Sequence, residues 1–245
     1  MFEFFEKTEK KTYKNIPLLL KHTASEIPDF TLQAVKNKRG IFVRYSYSQV
    51  YQHVIEMSYM LKKLGIKKGD HVGLMSDNRR EWLVTDYALL TLGAVDVPRG
   101  CDSMGVEMRF ILNFAECEVS FFENDRQLLK ILENPEEVPL LKKAIMYDHA
   151  EPETIELANK AGIEVINYSY LEAEGISITK EDWLNIEDGM ESIDSNDVAT
   201  IIFTSGTTGT PKGVQLTHDN YIAQCEAAPV VLGLMQPGDI WLTVL

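Results

Sequence analysis

Six consecutive residues of Thr, Ser and Gly (Thr204, Ser205, Gly206, Thr207, Thr208 and Gly209) stand just ahead of a single cation, Lys212. Their types point to one kind of chemistry. Gly lacks a Cβ and tolerates positive φ, so backbone N–H groups beside it come close to a bound group. Convergent N–H groups, several hydroxyls and one ammonium make a cradle for phosphate oxygens. The spacing is not that of a Walker A loop, G-x-x-x-x-G-K followed by Ser or Thr. Pro211 precedes Lys212 where that pattern has Gly, and Gly213 follows where it has the Mg²⁺-binding hydroxyl. A P-loop kinase or GTPase therefore ranks last among the readings. The bland alternative is a polar turn that merely joins two strands.

The elements around the run have to present it. Residues 198–203 are apolar, and Val198, Thr200, Ile201 and Ile202 are β-branched, which predicts a buried strand. Residues 213–217 alternate Val214 and Leu216 with polar neighbours, a second strand. Together they predict a hairpin with the candidate phosphate loop at its tip. Thr217 or Asp219 then caps a helix over 220–228 that Pro229 breaks; His218 sits at its start as a positioning group rather than a catalytic one. Residues 237–239 read as a turn, and 240–245 begin one more apolar strand.

Upstream, helix and strand patterns alternate. Residues 15–21 could begin a short helix with Pro17 near its start, lying over the surface of the main fold. After a turn at 38–40, residues 41–47 read as a strand, and Ser46 or Ser48 caps a helix to about Leu64 that Gly65 closes. Val50, Val54, Met57, Met60, Leu61 and Leu64 form its apolar stripe, and the methionines read as core rather than as a lipid groove. A turn at Gly69 and Asp70 precedes a strand over 71–75. Asn78 and Glu81 form a capping box for a helix over 81–92, and a strand over 94–97 is stopped by Pro98. Strand, helix and strand make a βαβ unit. Helices over 104–115, 127–132 and 155–161 then alternate with strands over 118–122, 144–147 and 163–167. The fold class is α/β, with mostly parallel sheets flanked by helices. Residues 170–197 are acidic and poor in apolar side chains, a surface connection anchored by Trp183 and Ile186. The expected division is a lead-in over 1–40, an α/β subdomain over 41–168, an acidic connection over 169–197 and a phosphate-loop segment over 198–245. Two further polar residues are read conservatively: Arg99, at the end of a strand, as solvated, and His71, without a second ligand at metal spacing, as satisfied or exposed.

Composition excludes several classes. With 24 basic against 37 acidic residues the formal charge is −13, which argues against general binding to nucleic acid or an anionic membrane. Cys101, Cys117 and Cys225 are odd in number and widely spaced, so no disulfide framework is indicated and a reducing cytoplasm fits best. The start, M-F-E-F-F-E-K-T-E-K, is no signal peptide, and the apolar stretches are too short to insert in a bilayer. Peripheral membrane contact and oligomeric state stay open.

The string T-S-G-T-T-G-T-P-K-G over 204–213 resembles the phosphate-loop motif of adenylate-forming (AMP-binding) enzymes, and D-N-R-R-E-W over 77–82 and G-A-V-D-V-P over 93–98 are similar to a region preceding that loop in long-chain fatty-acid–CoA ligases. The resemblance spans roughly 45–245. It implies the N-terminal portion of the large domain of such a ligase, an acid–thiol ligase working in two steps. A fatty acid carboxylate attacks the α-phosphate of Mg·ATP to give acyl-adenylate and pyrophosphate, and the CoA thiol then displaces AMP. It further implies Thr204, Ser205, Thr207 and Thr208 as hydroxyl donors, Gly206 and Gly209 as backbone donors, Lys212 as the catalytic cation on the β- and γ-phosphates, and Mg²⁺ beside Thr204. The family's adenine, ribose and thioester-forming elements have no match, so a truncated chain is expected. Within the class the rival is activation of another carboxylic acid; outside it, a non-catalytic nucleotide-binding remnant.

Overall fold

Short apolar runs, buried on both faces, form the central strands of one large sheet with helices on both sides. The computed structural model of the protein describes residues 13–37, 39–204 and 211–232. In chain order, α1 (Ile16–Glu26) leads to β1 (Thr31–Lys36), β2 (Phe42–Ser46) and α2 (Tyr47–Lys63). Then come β3 (His71–Met75), α3 (Arg80–Thr91), β4 (Val95–Arg99), α4 (Gly105–Phe114), β5 (Val119–Phe122) and α5 (Asp125–Leu132). A short 3₁₀ turn at Pro135–Glu137 precedes β6 (Lys143–Met146), α6 (Pro152–Lys160), β7 (Glu164–Asn167), α7 (Tyr168–Gly175) and α8 (Lys180–Met190). The phosphate-loop segment supplies β8 (Val198–Thr204), β9 (Lys212–Thr217) and α9 (His218–Leu232).

The sheet order is β7-β6-β5-β3-β4-β8-β9, parallel throughout except for the antiparallel pair β8–β9. The expected βαβ unit is β3–α3–β4. After β4 the chain returns to the other side of β3, so order reverses between β3 and β5, the kind of crevice where α/β sheets hold ligands. One face packs Met75, Val95, Val97, Phe122, Ile201 and Phe203 against α4, α5 and α6. The other packs Val72, Leu74, Phe121 and Ile145 against α2 and α3. Met57 and Met60 are buried in this second core, as expected of a core stripe. A capping box between Ser46 and Gln49 starts α2, and Gly65, at φ 95°, follows its end.

Several local expectations are corrected. The lead-in contains β1, which pairs antiparallel with β2 as a separate two-stranded sheet. Asn78 does not cap α3. Arg79 is the N-cap residue and makes no side-chain cap bond; its Nε donates to Glu81 (2.9 Å) and its Nη1 to Asp148 (3.0 Å), which shifts the helix start. Pro98 does not stop β4, which runs on to Arg99. Val95 N–H points to β3, so by alternation the missing N–H of Pro98 falls on the β8 side, where pairing is confined to Asp96 with Thr200. The acidic stretch 170–197 carries α7 and α8; in α8, Ile186 and Met190, four residues apart, bury a narrow stripe against Ile55 of α2, Glu187 turns inward to Tyr51 and Lys21, and Glu181 and Asp188 are exposed. Finally, α9 continues to Leu232 through Pro229: the missing N–H removes one helical bond without ending the run.

Candidate functional site

The hairpin β8–β9 forms with the loop between its strands. Its register pairs Ile202 with Val214, Phe203 with Gly213 and Thr204 with Lys212. Thr204 ends β8 and Lys212 begins β9, so a hydroxyl and an ammonium face each other across the mouth of the connection, and both are exposed. Among the described residues Lys212 has no hydrogen-bond or ion-pair partner, which suits a cation held for an incoming anion. Ser205, Gly206, Thr207, Thr208 and Gly209 lie outside the described residues.

Packing fixes the base of the hairpin. A Cβ on Gly213 would come to 3.0 Å from Ile201 Cγ2 and 3.3 Å from the Phe203 ring, so the position that fails the Walker pattern is occupied by Gly for close packing. The Phe203 ring sits edge-on to Phe110 (6.4 Å) and Phe114 (5.8 Å) of α4. At the far end Thr217 caps α9, its Oγ1 accepting from Asn220 N–H (3.3 Å) while its own N–H donates to the Asn220 side chain (3.0 Å). His218 is buried, and its Nδ1 accepts from the Ile16 N–H at 3.4 Å. Burial lowers the His218 pKa to about 4 and outweighs the opposing pull of Asp197, so the ring is neutral and structural, as its place in the sequence suggested.

Two polar groups singled out from the sequence are internally satisfied. His71 Nδ1 lies 2.8 Å from the Ala115 carbonyl. Arg99 is not simply solvated: its Nε donates to Ser103 Oγ and its Nη2 to Glu107 Oε1, both at 2.6 Å, because α4 begins directly above the end of β4. The structure also collects groups that sequence reasoning missed. Beyond β3, β4 and β5, the ligand atoms of Asp77, Cys101 and Glu123 lie within 4.8 Å of one another. Their own bonds occupy them: Asp77 Oδ1 accepts from Cys101 N–H (2.8 Å), and Glu123 Oε2 from Asp77 N–H (3.0 Å) and Ser76 Oγ (3.2 Å). Burial and the neighbouring Glu123 push the Cys101 thiol up to about 12. This cluster ties the crevice loops together. On the opposite side of the sheet from Phe203, a cleft of about 230 Å³ is lined by Asp86 and Asp96 together with Trp82, Tyr87 and Tyr221. The one sequence signal for it was an acid inside the apolar stretch A-V-D-V-P.

The parallel α/β sheet ends in a hairpin whose strand ends, Thr204 and Lys212, flank the Ser/Thr/Gly run of the sequence. The chain belongs to the AMP-binding enzyme family, whose sequence model matches residues 20–245. It is similar to a long-chain-fatty-acid–CoA ligase of Mycobacterium tuberculosis, 29% identical over 189 residues that are 77% of this chain and 29% of that one. A chloroplastic long-chain-fatty-acid–[acyl-carrier-protein] ligase of Arabidopsis thaliana is 30% identical over 208 residues, 83% of this chain and 28% of that one. The chain thus spans less than a third of the length of these curated relatives. An inhibitor-bound crystal structure of the N-terminal domain of FACL13 from Mycobacterium tuberculosis superposes with a TM-score of 0.61 at 26% identity, over 84% of this chain and 45% of that one. The adenylation domain of a carboxylate reductase from Mycobacterium chelonae shares the fold, with a TM-score of 0.67 at 19% identity over 85% of this chain and 35% of that one.

Proposed function

We propose that the chain supplies the phosphate-holding part of an ATP-dependent ligase that converts a fatty acid to acyl-adenylate and then to acyl-CoA. The observation that supports this most directly is the register of the hairpin, with Thr204 and Lys212 flanking the Ser/Thr/Gly run. In the first step a carboxylate oxygen bonds to the α-phosphorus of ATP, and the bond from that phosphorus to the pyrophosphate oxygen breaks. In the second, the CoA sulfur bonds to the acyl carbon, AMP leaves with the electron pair, and the thiol proton passes to a base. Carboxylate and triphosphate repel each other, so preorganised donors aimed at the developing charge are the efficient device. Lys212 neutralises the β- and γ-phosphates; Thr204, Ser205, Thr207 and Thr208 donate hydroxyl hydrogens, and Gly206 and Gly209 donate backbone N–H groups.

Mg²⁺ takes hard oxygen ligands and retains waters, and the exposed hydroxyl of Thr204 at the strand end fits one such position. Thr204 would hold the ion, which when bound offsets phosphate charge. In this reading the domain runs through the whole chain, with residues 1–40 leading in, 41–168 forming the α/β subdomain, 169–197 connecting and 198–245 carrying the phosphate loop. The long-chain preference is taken from the relatives' names, and a cytoplasmic setting agrees with free cysteines at 101, 117 and 225. Among the described residues no helix is long and apolar enough to cross a membrane.

The test is exchange of labelled pyrophosphate into ATP by the protein that carries this chain, across fatty acids of increasing length. Exchange should require the acid, and Lys212→Ala should reduce it on the order of 10²-fold with an unchanged melting temperature. Normal exchange in that variant overturns the role of Lys212. Retained Mg·ATP binding without exchange for any acid replaces the ligase with a non-catalytic nucleotide-binding module.

A further inference from the structure

Acidic residues outnumber basic ones along the chain, yet residues 30–55 hold none of the 37 acids, and four of the 24 basic residues, Lys36, Lys38, Arg39 and Arg44, fall together inside that stretch. The fold places this run on the β1–β2 pair, which stands apart from the seven-stranded sheet. Alternation gives the pair two faces. Tyr45 lies on one and packs against the core around α2. On the other, Lys36 is registered with Phe42 and Ala34 with Arg44, and all four are exposed. The turn between the strands is tied by its own hydrogen bonds. Asn37 Oδ1 accepts from Arg39 N–H (2.9 Å) and Ile41 N–H (3.1 Å), and Asn37 N–H donates to the Ile41 carbonyl (2.9 Å). It holds out Ile41, 60% exposed, beside Phe42 at 55%. Lys36 Nζ lies 5.3 Å from the centre of the Phe42 ring. Among the described residues the Arg39 and Arg44 side chains have no hydrogen-bond or ion-pair partner.

We propose that this face and turn of the β1–β2 pair form a docking surface for an anionic lipid bilayer, with Ile41 and Phe42 entering the boundary between headgroups and acyl chains and Lys36, Arg39 and Arg44 meeting the headgroup charges. Such docking does not depend on the ligase reading. A chain of formal charge −13 is repelled as a whole by an anionic surface, so contact needs cations gathered in one place and kept clear of the protein's own acids. Residues 30–55 supply that arrangement. The exposed apolar groups then decide which anion fits. A free phosphate or a nucleic-acid backbone pairs with Arg and Lys but takes no apolar side chain out of water. A bilayer interface accepts both the charge and the apolar tip. Long Arg and Lys side chains beside such a tip reach back to the headgroups while the tip sits deeper. Contact of this kind lies on the membrane and requires no spanning helix, and among the described residues none is long and apolar enough to span.

The experiment is co-sedimentation of the protein that carries this chain with two kinds of vesicle, phosphatidylcholine alone and equal parts of phosphatidylcholine and phosphatidylserine. Wild type should bind the mixed vesicles, ignore the neutral ones and come off as salt is raised. Each cation near the surface contributes about fivefold to partitioning, so Arg39→Gln combined with Arg44→Gln should weaken it roughly 25-fold. Phe42→Ser keeps every charge and should weaken it on the order of tenfold. These positions are exposed, so circular dichroism and pyrophosphate exchange without vesicles should match wild type in each variant. Phe42→Trp should add a blue-shifted emission component when mixed vesicles are present, as the indole leaves water. No wild-type binding to mixed vesicles, or binding undiminished in the double Arg variant, overturns the proposal. Binding that needs the arginines but is indifferent to Phe42→Ser, with no shift in Phe42→Trp, marks a general polyanion patch and overturns it too. So does a concentration-dependent dimer that Phe42→Ser abolishes in protein that ignores vesicles, which assigns the face to a second copy of the chain.

Discussion

A histidine beside an aspartate ordinarily gains proton affinity on folding, yet His218 loses it, because burial outweighs Asp197 and brings its pKa to about 4. The unfolded ring titrates near 6.5. Between these values the unfolded chain binds more protons than the native one, so stability contributed by neutral His218 is present above pH 6.5 and is lost as pH falls toward 4. The full loss is about 3 kcal/mol at about 1.4 kcal/mol per unit. Asp86 and Asp96, both raised by burial, slope the other way, stability falling as pH rises above about 4 and, for Asp86, up to about 7, so only a difference measurement separates these carboxyls from His218. His218→Gln should flatten the acid limb of denaturation midpoint against pH relative to wild type; an unchanged limb would mean that the ring is protonated in the fold. At this scale, sequence was informative where chemistry is local in the chain. The Ser/Thr/Gly run with Lys212 is contiguous, so its reading needed no fold. Asp86 and Asp96 belong to separate elements, and nothing in their spacing predicts that α3 folds back to bring them into one cleft.

Elements were legible where a period ran long and caps agreed with it. The stripe from Val50 to Leu64, with Ser46 or Ser48 as its cap, points to α2, which forms with Ser46 as its N-cap. They were illegible where a tertiary contact decides. Residues 41–47 read as a strand and form β2, but its partner β1 was not read from the sequence, and Phe42 and Val43 remain exposed in the pair. The sheet itself is tightly specified at Gly73 in β3, where an added Cβ would run into Ser120 Oγ and Leu112 Cδ2. Gly73→Ala should therefore destabilise the protein by about 1–3 kcal/mol through overpacking between β3, β5 and α4. Pairing the change with Leu112→Ala should recover part of that loss, whereas additive destabilisation in the double variant would place the strain elsewhere.

At the scale of the whole molecule, the early chain is fastened to elements far from it in sequence. Asn15 is fully buried at the start of α1. Its Oδ1 accepts from Leu18 N–H (3.0 Å) as the helix cap, and its Nδ2 donates to the carbonyls of Met190 (2.9 Å) and Ile193 (3.0 Å) at the end of α8. Ile16 N–H reaches His218, so one turn of chain joins the lead-in, the acidic connection and the segment after the phosphate loop. No periodicity encodes such a knot; a lone Asn before I-P-L-L-L reads only as a cap. Truncation to Ala removes the cap and leaves two buried carbonyls without that donor, a loss of about 2–4 kcal/mol from the sum of cap and desolvation effects. Asn15→Ala should lower the urea midpoint with the slope unchanged, since the same surface is exposed on unfolding. Asn15→Asp keeps the cap but turns an acceptor toward both carbonyls, so it should be no better than Ala. If Asp is tolerated, the bond to Leu18 alone matters, and the lead-in is capped without being fastened to α8.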